Sequence, residues 1–598
     1  MAKMFRAFFF KSLFFFWYRF LFRLLKNLLG FHRNITNNNS SYAFATQFNK
    51  YQKFPSLLHR SDLNDHTLIF DVENALLKSS SLFPYFMLVA FEAGGLLRAI
   101  VLVLLYPFVC LAGEEMGLKI MVMTCFFGIK ADSFRVGRSV LPKFLLEDVG
   151  SEIFEVLNRG GKKVGVTNMP RVMVESFLRE YLEIDFVVGR ELKVFCGYHI
   201  GLMDERKTMH ALKQVQEGKG CSDMIGITNF NKIHDNELFS HCKDVYVVSE
   251  ADKRSWQTLP RQSYPKALIF HDGRLALRPT PTESLAMLMW LPYAIILSII
   301  RISLALSLPY KISTPILIFT GIRFTTSIPK SKSTHDKNNN KPNGHLYVCN
   351  HRTLLDPLYI SFALQKNLIA VTYSLSRMSE ILAPIKTVRL TRNRDQDAKM
   401  MQQLLEQGDL VVCPEGTTCR EPYLLRFSPL FSEMCDDITP VAMDSHVSMF
   451  HGTTAGGLKC LDPVFFLMNP MPVYSVRLLE QVSSLSSRSR ICGERESSRF
   501  DVANQVQTQI GNTLGFECTK LTRKDKYLIL AGNEGIVSTK RRGDGRGVWA
   551  MVVLKWEKGL QRWLWMEEAR DIVEQDWRCH DRNKVGGRVN WAIGWDCG

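Results

Sequence analysis

The chain has 598 residues, of which 46% are apolar and 22% charged, and it carries a formal net charge of +17. This length exceeds what one hydrophobic core can serve, so two or three domains are expected. The basic balance favours an anionic partner, such as a membrane surface or a phosphorylated substrate. The sequence lacks zinc-finger spacings and RNA-binding aromatic signatures, which argues against a nucleic-acid partner.

Cysteine usage indicates a reducing compartment. The chain has fourteen cysteines, and no two of them form a C-x-x-C pair. Several stand in apolar sequence context, among them Cys110, Cys125, Cys349 and Cys413. Scattered cysteines of this kind are not typical of a disulfide framework.

The N-terminal stretch 1–33 is rich in Phe and Leu with interspersed Arg and Lys. No small-residue cleavage site follows it, so a removed signal peptide is not predicted. The pattern favours an amphipathic segment at a membrane interface. A mitochondrial presequence is the alternative, because the stretch contains Arg and no acid. Residues 34–66 are rich in Asn and Ser and are predicted to form a linker.

Residues 67–280 have the rhythm of an α/β domain. Strand-like apolar runs recur between helical stretches, and the first of them ends in acids. The runs that carry this prediction are 67–73, 164–167, 185–188 and 267–270.

A strongly apolar insertion, 82–128, interrupts this first domain. Its most apolar part, 99–112, contains Pro107 and is shorter than the roughly 20 residues that a membrane-spanning helix needs. A re-entrant or interfacial hairpin is therefore at least as well supported as a span.

A second apolar block, 285–320, is predicted to be a membrane-associated helical segment. Pro292 lies inside it, which leaves open one tilted span or a membrane-embedded hairpin. A polar linker follows at 327–343, and the α/β rhythm returns over 345–537. The tail, 538–598, holds seven of the ten Trp and has no clear periodicity, so it is assigned no role.

The best candidate for catalysis is His351 with Asp356. A strand-like run, 346–349, leads into the histidine, and the aspartate follows five residues later. On one straight helix that offset is about 500°, so the two side chains would not share a face. The chain must turn at the histidine before the aspartate can fold back toward the imidazole. A carboxylate on one ring nitrogen leaves the other to accept a proton from a hydroxyl, which is worth roughly 10²–10⁴-fold in rate.

Two later segments supply groups that suit a phosphorylated polyol. Arg392 and Arg394 follow a strand-like run, and a guanidinium binds phosphate through two hydrogen bonds. A second run, 410–413, ends at Pro414, after which Glu415 can accept from hydroxyl groups and Gly416 allows close backbone approach. Thr417 and Arg420 complete this segment, and an apolar strand is predicted at 438–442.

In this order, these segments resemble the four sequence blocks of the glycerolipid acyltransferase family. The runs 413–427, 451–454 and 522–527 are more closely similar to the land-plant sn-glycerol-3-phosphate acyltransferases, and the resemblance spans about 67–537. It implies that His351 is the base, that Asp356 orients it, and that fatty acyl-CoA donates to glycerol-3-phosphate without a cofactor or metal. The residues implied to bind glycerol-3-phosphate are Arg392, Arg394, Glu415, Gly416, Thr417 and Arg420.

The first α/β domain resembles the haloacid-dehalogenase-type phosphatase domain found in this plant family. Active members carry D-x-D-G-T, whereas residues 71–75 read Asp-Val-Glu-Asn-Ala. Asp71 keeps the nucleophile position, Glu73 replaces the second aspartate, and Thr167 matches the second motif. The metal-binding Gly-Asp is replaced at 226–229 by Gly-Ile-Thr-Asn. The domain is therefore predicted to be inactive or very weak as a phosphatase.

The expected fold is a doubly wound haloacid-dehalogenase-like domain followed by an α/β acyltransferase domain, with membrane-embedded helical segments. The expected product is lysophosphatidic acid, acylated at sn-2 by family resemblance and not dephosphorylated. The alternatives are a bifunctional enzyme that yields monoacylglycerol, or a non-catalytic membrane scaffold. The resemblance suggests extracellular-lipid polyester (cutin or suberin) synthesis. An endoplasmic reticulum membrane, with the catalytic domain facing the cytosol, is expected because acyl-CoA is cytosolic and the sequence shows no clean presequence, and a mitochondrial membrane is the alternative.

Overall fold

The computed structural model describes residues 51–204, 224–230, 237–329, 344–372, 380, 383–391, 393–433, 437–456, 458–483 and 499–531. The predicted interfacial segment 1–33 and the Trp-rich tail 538–598 lie outside these residues.

The described strands and helices fall into two groups, before and after a long apolar helix. The strands are β1 Gln52–Lys53, β2 Thr67–Asp71, β3 Lys163–Pro170, β4 Phe186–Arg190, β5 Leu192–Phe195, β6 Tyr198–Met203, β7 Met224–Thr228, β8 Asp244–Val247, β9 Arg323–Ser327, β10 Leu346–Cys349, β11 Ile369–Thr372, β12 Lys386–Arg389, β13 Leu410–Val412, β14 Tyr423–Leu424, β15 Asp437–His446, β16 Val473–Leu478, β17 Val482–Ser483 and β18 Glu517–Cys518. The α-helices are α1 Phe54–Leu58, α2 Phe83–Gly94, α3 Leu96–Leu111, α4 Glu114–Phe126, α5 Val136–Ser139, α6 Leu141–Leu146, α7 Ser151–Arg159, α8 Arg171–Ser176, α9 Glu237–Ser240, α10 Glu250–Ser255, α11 Pro281–Ser307, α12 Tyr310–Phe319, α13 Asp356–Leu364, α14 Arg394–Gln407, α15 Asp462–Leu467, α16 Arg499–Leu514 and α17 Arg523–Ala531.

The N-terminal domain is built on a six-stranded parallel sheet in the order β1-β8-β7-β2-β3-β4. Every residue of β2 is buried, as expected for a parallel strand covered on both faces. Leu68 and Phe70 face one apolar cluster, and Ile69 faces the other. The carboxyl ends of β2, β3, β7 and β8 therefore meet at one edge of the sheet.

Two boundaries differ from the sequence prediction. The stretch 34–66 was expected to be a linker, but 52–58 forms β1 and α1, where Phe54 and Leu57 are buried and the ring of Phe54 packs against that of Trp256. The run 267–270 was expected to be a strand, but it pairs with none of the strands in the described part of the chain, although Leu268 and Phe270 are buried.

The apolar insertion 82–128 forms three successive helices, α2, α3 and α4. The first is buried along most of its length, whereas α3 exposes Leu97, Leu104 and Phe108. Glycines with positive φ, Gly95 and Gly113, make the breaks between the helices. The exposed face of α3 is an apolar surface beside the N-terminal domain.

The second apolar block contains α12 and most of α11, two helices that pack against each other. The longer of them, α11, is continuous through Pro292. Within the described residues it is the single helix long and apolar enough to cross a membrane. One face is buried and carries Arg301, whose guanidinium donates to the carbonyl oxygens of Leu467 and Asn469 at 2.6 and 2.7 Å. The opposite face exposes apolar side chains such as Tyr293 and Ile296.

The C-terminal domain holds an eight-stranded mixed sheet with the main order β12-β11-β13-β10-β15-β16-β9, and β17 pairs with β15. Strands β10, β13 and β15 are parallel neighbours near its centre. Alternate residues of β10 face two apolar clusters, one on each side of the sheet. Both domains are therefore α/β, as predicted, and the carboxyl end of β10 opens at the centre of the second sheet.

Candidate active site at the carboxyl end of β10

The candidate site begins where β10 ends. Asn350 is fully buried, and its side chain bonds with both backbone groups of Met443 on β15, at 2.9 and 2.8 Å. These bonds fix the chain as it leaves the sheet, so the next residue, His351, is held at the sheet edge. Ligand sites of open α/β sheets lie at this edge.

The chain turns between His351 and α13, as the five-residue spacing requires. Asp356 is the first residue of α13, and its Oδ2 lies 2.8 Å from Nδ1 of His351. The Asp356 side chain is completely buried, and that of His351 is 15% exposed. One ring nitrogen is thus engaged by the carboxylate, and Nε2 is the ring nitrogen that is not bonded to Asp356.

Four further groups hold the Asp356 carboxylate. The backbone N–H of Arg352 donates to Oδ2 at 2.7 Å, and the N–H of Thr353 reaches both oxygens at 3.1 Å. The hydroxyls of Thr353 and Tyr474 donate to Oδ1. Donors of this kind stabilise the ionised carboxylate and fix its orientation, so the histidine is held by a rigid partner.

The thiol of Cys413 lies beside His351. Its sulfur is 3.4 Å from that of Cys349, because β10 and β13 are paired in parallel register. The hydrogen bond with Cys349 lowers the pKa of Cys413, and the nearby His351 lowers it further. Burial raises it, but the net result is a pKa of about 6. Burial disfavours the charged imidazole, but Cys413 and Asp356 outweigh it and raise the pKa of His351 well above its ordinary value.

Glu415 ties the loop after β13 to the histidine. Its Oε1 accepts the backbone N–H of His351 at 2.8 Å, and its Oε2 accepts that of Leu425 at 3.1 Å. Burial raises the pKa of this carboxyl to about 7. The same loop is joined to the backbone of His351 by a second bond, from Cys419 N–H to the carbonyl of His351 at 2.9 Å. In this structure the Glu415 side chain is used for this attachment.

The loop continues through Gly416 and Thr417. Gly416 has φ of 65°, a conformation that favours glycine, and a Cβ added there would meet nothing within 4 Å. The buried ammonium of Lys526 donates to the Thr417 hydroxyl at 3.3 Å and to the carbonyl of Thr418 at 2.6 Å. The loop therefore has an open backbone surface at its glycine and a buried cation beneath it.

Arg420 is buried at the junction between the two domains. Its Nε donates to the hydroxyl of Thr453 at 3.0 Å, and one terminal nitrogen donates to the carbonyl of Gly273 at 2.8 Å. Asp272 lies 3.6 Å from the same nitrogen. The other terminal nitrogen is buried with no hydrogen-bond partner among the described residues. A buried guanidinium with one free arm is suited to an anionic group of a substrate.

Two buried histidines lie near this guanidinium. The rings of His271 and His451 are 5.3 Å apart in an edge-on arrangement. Burial and the surrounding cations hold both pKa values well below the ordinary value, so both rings are neutral near pH 7. Nε2 of each ring has no hydrogen-bond partner within the described part of the chain.

The outcome differs for the two arginines predicted from the segment that follows β12. Arg392 lies outside the described residues. Arg394 is the first residue of α14, its side chain is half-exposed, and it forms an ion pair with Glu433. Strand β12 lies at the sheet edge, three strand spacings or about 14 Å from β10. The structure thus brings His351, Asp356, Glu415, Gly416 and Thr417 together. Arg420 belongs to the same loop, with its guanidinium at Thr453 and Gly273, and Arg394 is not brought to the site.

A metal site is also geometrically conceivable here. His351, Asp356 and Cys413 each offer one ligand atom within 4.8 Å of the others, and they form the one such group within the described residues. The three groups are engaged with one another, and Asp356 is further used by four donors. A metal would have to displace these bonds.

The residues predicted for a degenerate phosphatase site do meet at the edge of the first sheet. Oε1 of Glu73 accepts from the Thr167 hydroxyl at 2.5 Å, and Asp71 accepts from Asn74 N–H at 2.9 Å. The second oxygen of Asp71 is bonded by the amide of Asn74 and by the hydroxyl of Thr228 at 3.4 Å. Mg²⁺ would need these lone pairs and further carboxylates, so the residues present do not fit it.

Sequence reasoning missed several residues of both sites. Tyr474 lies 118 positions from Asp356, and no local pattern marks it. Cys413 stands one residue after β13, so pairing it with Cys349 needs the strand register. Lys253, in a helix begun by a capping box at Ser249, donates to the carbonyl of Glu73 at 3.1 Å. The position of Lys253 shortly after β8 was the feature of the sequence that could have identified it.

Comparison with known proteins gives concordant results for both domains. Residues 67–248 match the family model described as "Glycerol-3-phosphate acyltransferase RAM2-like, HAD-like domain", and residues 331–443 match the model described as "Acyltransferase". "Probable glycerol-3-phosphate acyltransferase 2" of Arabidopsis thaliana is 59% identical, over 82% of this chain and 94% of its own length. "Probable glycerol-3-phosphate acyltransferase 3" of the same plant is 58% identical, with the same coverage.

Among solved structures, the lysophosphatidic acid acyltransferase PlsC of Thermotoga maritima is similar in part. It is 12% identical, covers 39% of this chain and 97% of its own length, and has a TM-score of 0.26. At these values the similarity adds nothing to the family assignment, which depends on the sequence relatives.

Proposed function

The chain belongs to the glycerol-3-phosphate acyltransferase family of plants, and from this premise we propose that it transfers a fatty acyl group from acyl-CoA to the sn-2 hydroxyl of glycerol-3-phosphate. The product is lysophosphatidic acid, which leaves the enzyme still phosphorylated. The observation that carries the proposal is the 2.8 Å contact between Nδ1 of His351 and the buried, fully bonded carboxylate of Asp356. The sn-2 position and the acyl-CoA donor are supported by family resemblance.

The proposed reaction uses the histidine as a general base. Asp356 holds the proton on Nδ1, so Nε2 accepts the proton of the substrate hydroxyl as its oxygen attacks the thioester carbonyl. The carbon–sulfur bond then breaks, and the CoA sulfur leaves with a proton returned from the imidazolium. Neither step needs a cofactor or a metal. Because the pKa of His351 is raised, the neutral base predominates only at pH above that raised value.

Arg420 is proposed to bind the phosphate of the substrate. Its free terminal nitrogen is buried near the domain junction, where a doubly charged phosphate can accept from it. Arg420 follows Cys419, whose N–H bonds the His351 carbonyl, so the cation and the base are held by one loop. Arg394, with its half-exposed side chain paired to Glu433, is the weaker candidate for this contact.

A product assay tests the proposed activity. Membranes containing the wild-type chain are supplied with labelled glycerol-3-phosphate and acyl-CoA, and the products are separated by class and by position of acylation. We expect sn-2 lysophosphatidic acid, and no acyl transfer from the His351→Ala variant at equal membrane content. Monoacylglycerol as the main product would refute the phosphorylated product, and activity in His351→Ala would refute the base.

The position on a membrane is part of the same proposal. Helix α11 is 27 residues long with mean hydropathy 2.0 in its most apolar window. It packs against α3, whose exposed face is apolar too, so the two helices offer one lipid-facing surface. We place the chain in the endoplasmic reticulum membrane with the catalytic domain toward cytosolic acyl-CoA, and the mitochondrial membrane is the alternative.

Localisation and physiological use have separate tests. A fluorescent fusion imaged with reticulum and mitochondrial markers distinguishes the two membranes, and carbonate extraction distinguishes embedded from peripheral attachment. Supply of acylglycerols to extracellular polyester is proposed from family resemblance. Loss of cutin or suberin monomers in a plant lacking the chain would support it, and unchanged monomers would contradict it.

A further inference from the structure

Two cysteine thiols lie side by side next to the proposed base. Cys349 ends β10, and Cys413 follows the last residue of β13. The two strands are parallel, and the last pair in their register is Val348 with Val412, so the two cysteines come next at the same level of the sheet. Their sulfurs are 3.4 Å apart. The strand register therefore creates a dithiol from residues that are 64 positions apart in the chain.

The geometry of this pair is close to that of a disulfide. Neighbouring strands lie about 4.8 Å apart, and the Cα atoms of a disulfide are separated by roughly 4.4–6.8 Å. A sulfur–sulfur bond is about 2.0 Å long, so the two sulfurs must approach each other by about 1.4 Å. An approach of this size is within the reach of side-chain rotation, so β10 and β13 need not separate.

The two thiols differ in exposure and in acidity. Cys349 is completely buried, whereas Cys413 is part-exposed. The hydrogen bond between the sulfurs raises the pKa of Cys349 and lowers the pKa of Cys413 to about 6. Near pH 7 the proton therefore stays on Cys349, and Cys413 is the thiolate, which is the form that reacts with oxidants. A part-exposed thiolate with a thiol beside it is the arrangement found in redox-sensing cysteines.

Cys413 connects this pair to the base. Its sulfur, a carboxylate oxygen of Asp356 and a ring nitrogen of His351 all lie within 4.8 Å of one another. Cys413 also begins the loop in which Glu415 accepts the backbone N–H of His351 at 2.8 Å. Drawing the sulfur toward Cys349 would withdraw it from the imidazole and move the start of this loop. Oxidation of the pair would therefore change two contacts of the base.

We propose that Cys349 and Cys413 form a reversible oxidation site, at which a peroxide joins the two thiols in a disulfide and acyl transfer stops. The loss of activity rests on the proposed acyltransferase function, whereas formation of the disulfide does not. A reducing compartment keeps the pair as thiols, and disulfides that form transiently in such compartments are typical of redox sensing. The oxidant class is a hydroperoxide, and a dithiol reverses the change.

The chemistry of the site is balanced by the two thiols and one peroxide. The Cys413 thiolate attacks one oxygen of hydrogen peroxide, the O–O bond breaks and hydroxide leaves, so Cys413 becomes a sulfenic acid. The sulfur of Cys349 then attacks the sulfenic sulfur, and the proton of Cys349 leaves with the hydroxyl group as water. Two electrons pass from the thiol pair to the peroxide, and no further reactant is needed.

The first test detects the disulfide directly. Membranes containing the full-length chain are treated with hydrogen peroxide, free thiols are blocked with N-ethylmaleimide, and the peptides are analysed by mass spectrometry. We expect a cross-linked pair of peptides containing Cys349 and Cys413, which dithiothreitol separates. Cys196→Ala is the matched control, because it removes an exposed cysteine of the N-terminal domain, and it should form the same cross-link. Absence of this cross-link from the wild type would overturn the proposal.

The second test connects the disulfide to activity. A base displaced from its working position loses roughly 10²–10⁴-fold in rate, so the acyl transfer that remains should match the fraction of chains still reduced. Dithiothreitol should restore the rest. If the untreated wild type transfers no acyl group, the proposed function fails, and the peptide cross-link still decides whether the oxidation site exists. A complete disulfide with undiminished acyl transfer would contradict the proposed effect on the base.

Variants of the buried thiol separate this site from general oxidation of the chain. In Cys349→Ala and Cys349→Ser, the sulfenic acid of Cys413 has no thiol to attack it and should proceed to sulfinic acid, which dithiothreitol does not reduce. Each variant is compared with its own untreated activity, and thermal unfolding confirms that it is folded. Two substitutions are used in case one of them does not fold. Recovery of activity as complete as in the wild type would show that Cys349 is not the partner of Cys413.

Discussion

The sharpest prediction concerns Asp356→Asn. The amide oxygen can take the place of Oδ2 and keep the bond to Nδ1 of His351. The amide N–H₂ then replaces Oδ1, so the hydroxyls of Thr353 and Tyr474 must turn to accept from it. The charge is lost, however. At 2.8 Å and an effective dielectric constant of about 20, a carboxylate stabilises an imidazolium by roughly 6 kcal/mol. One pKa unit is about 1.4 kcal/mol, so about four units is the upper limit of the effect on the pKa of His351.

Loss of the charge has two separate effects on the pH profile: it shifts the pH at which the rate rises, and it lowers the plateau rate. Asp356 raises the pKa of His351, and the base works only when it is neutral, so wild-type kcat/KM rises with pH through that raised pKa. In Asp356→Asn the rise should move to lower pH by at least about one unit. The plateau rate should fall by roughly 10²–10⁴-fold, because the imidazolium formed during reaction is no longer stabilised.

The assay is acyl transfer to glycerol-3-phosphate from pH 5.5 to 9.5, with thermal unfolding of each variant as the control for folding. Tyr474→Phe is the comparison, since it removes one donor to the same carboxylate and keeps the ring stacked on Tyr359 at 3.8 Å. A carboxylate with fewer donors is more basic, so in Tyr474→Phe the rise should move to higher pH. If the two variants moved the profile in the same direction, or Asp356→Asn left the plateau unchanged, the orienting role would be refuted.

Three other predictions follow from the same loop. Cys413→Ala removes the sulfur that helps to raise the pKa of His351, so the rise of kcat/KM should move to lower pH; an unmoved profile would contradict the pairing. Glu415→Ala leaves one part-buried and one buried backbone N–H group without an acceptor, which at about 1–3 kcal/mol each should lower the free energy of unfolding by roughly 2–6 kcal/mol in chemical denaturation; a loss under 1 kcal/mol would mean that water replaces the carboxylate. Arg420→Ala should raise KM for glycerol-3-phosphate about tenfold or more with little change in KM for acyl-CoA, and more than Arg394→Ala does; the reverse order would assign the phosphate to Arg394.

Some features of this protein follow from the sequence alone because they are local. The contact of His351 with Asp356 spans five residues, and the backbone has few ways to bring such neighbours together after a strand. The strands near the site, β10, β13 and β15, were predicted because a buried parallel strand is a short continuous apolar run. The α/β character of both domains was predicted for the same reason.

Other features required the tertiary structure because they depend on strand order and register. Tyr474 reaches Asp356 only because β16 pairs with β15 beside β10. The order of the second sheet also places β12 at its edge, which separates Arg394 from the base. A sequence lists these segments in chain order, and it carries no local signal for how far apart they lie in a sheet.

His351 and Asp356 show what the sequence can and cannot determine about the site. The sequence by itself determined that His351 and Asp356 could meet, because backbone geometry over five residues decides it. Only the tertiary structure decided that Glu415 is bonded to the backbone of His351 and that Cys413 lies beside its ring. These contacts join residues more than sixty positions apart, and the packing of neighbouring parallel strands is the physical cause that brings them together.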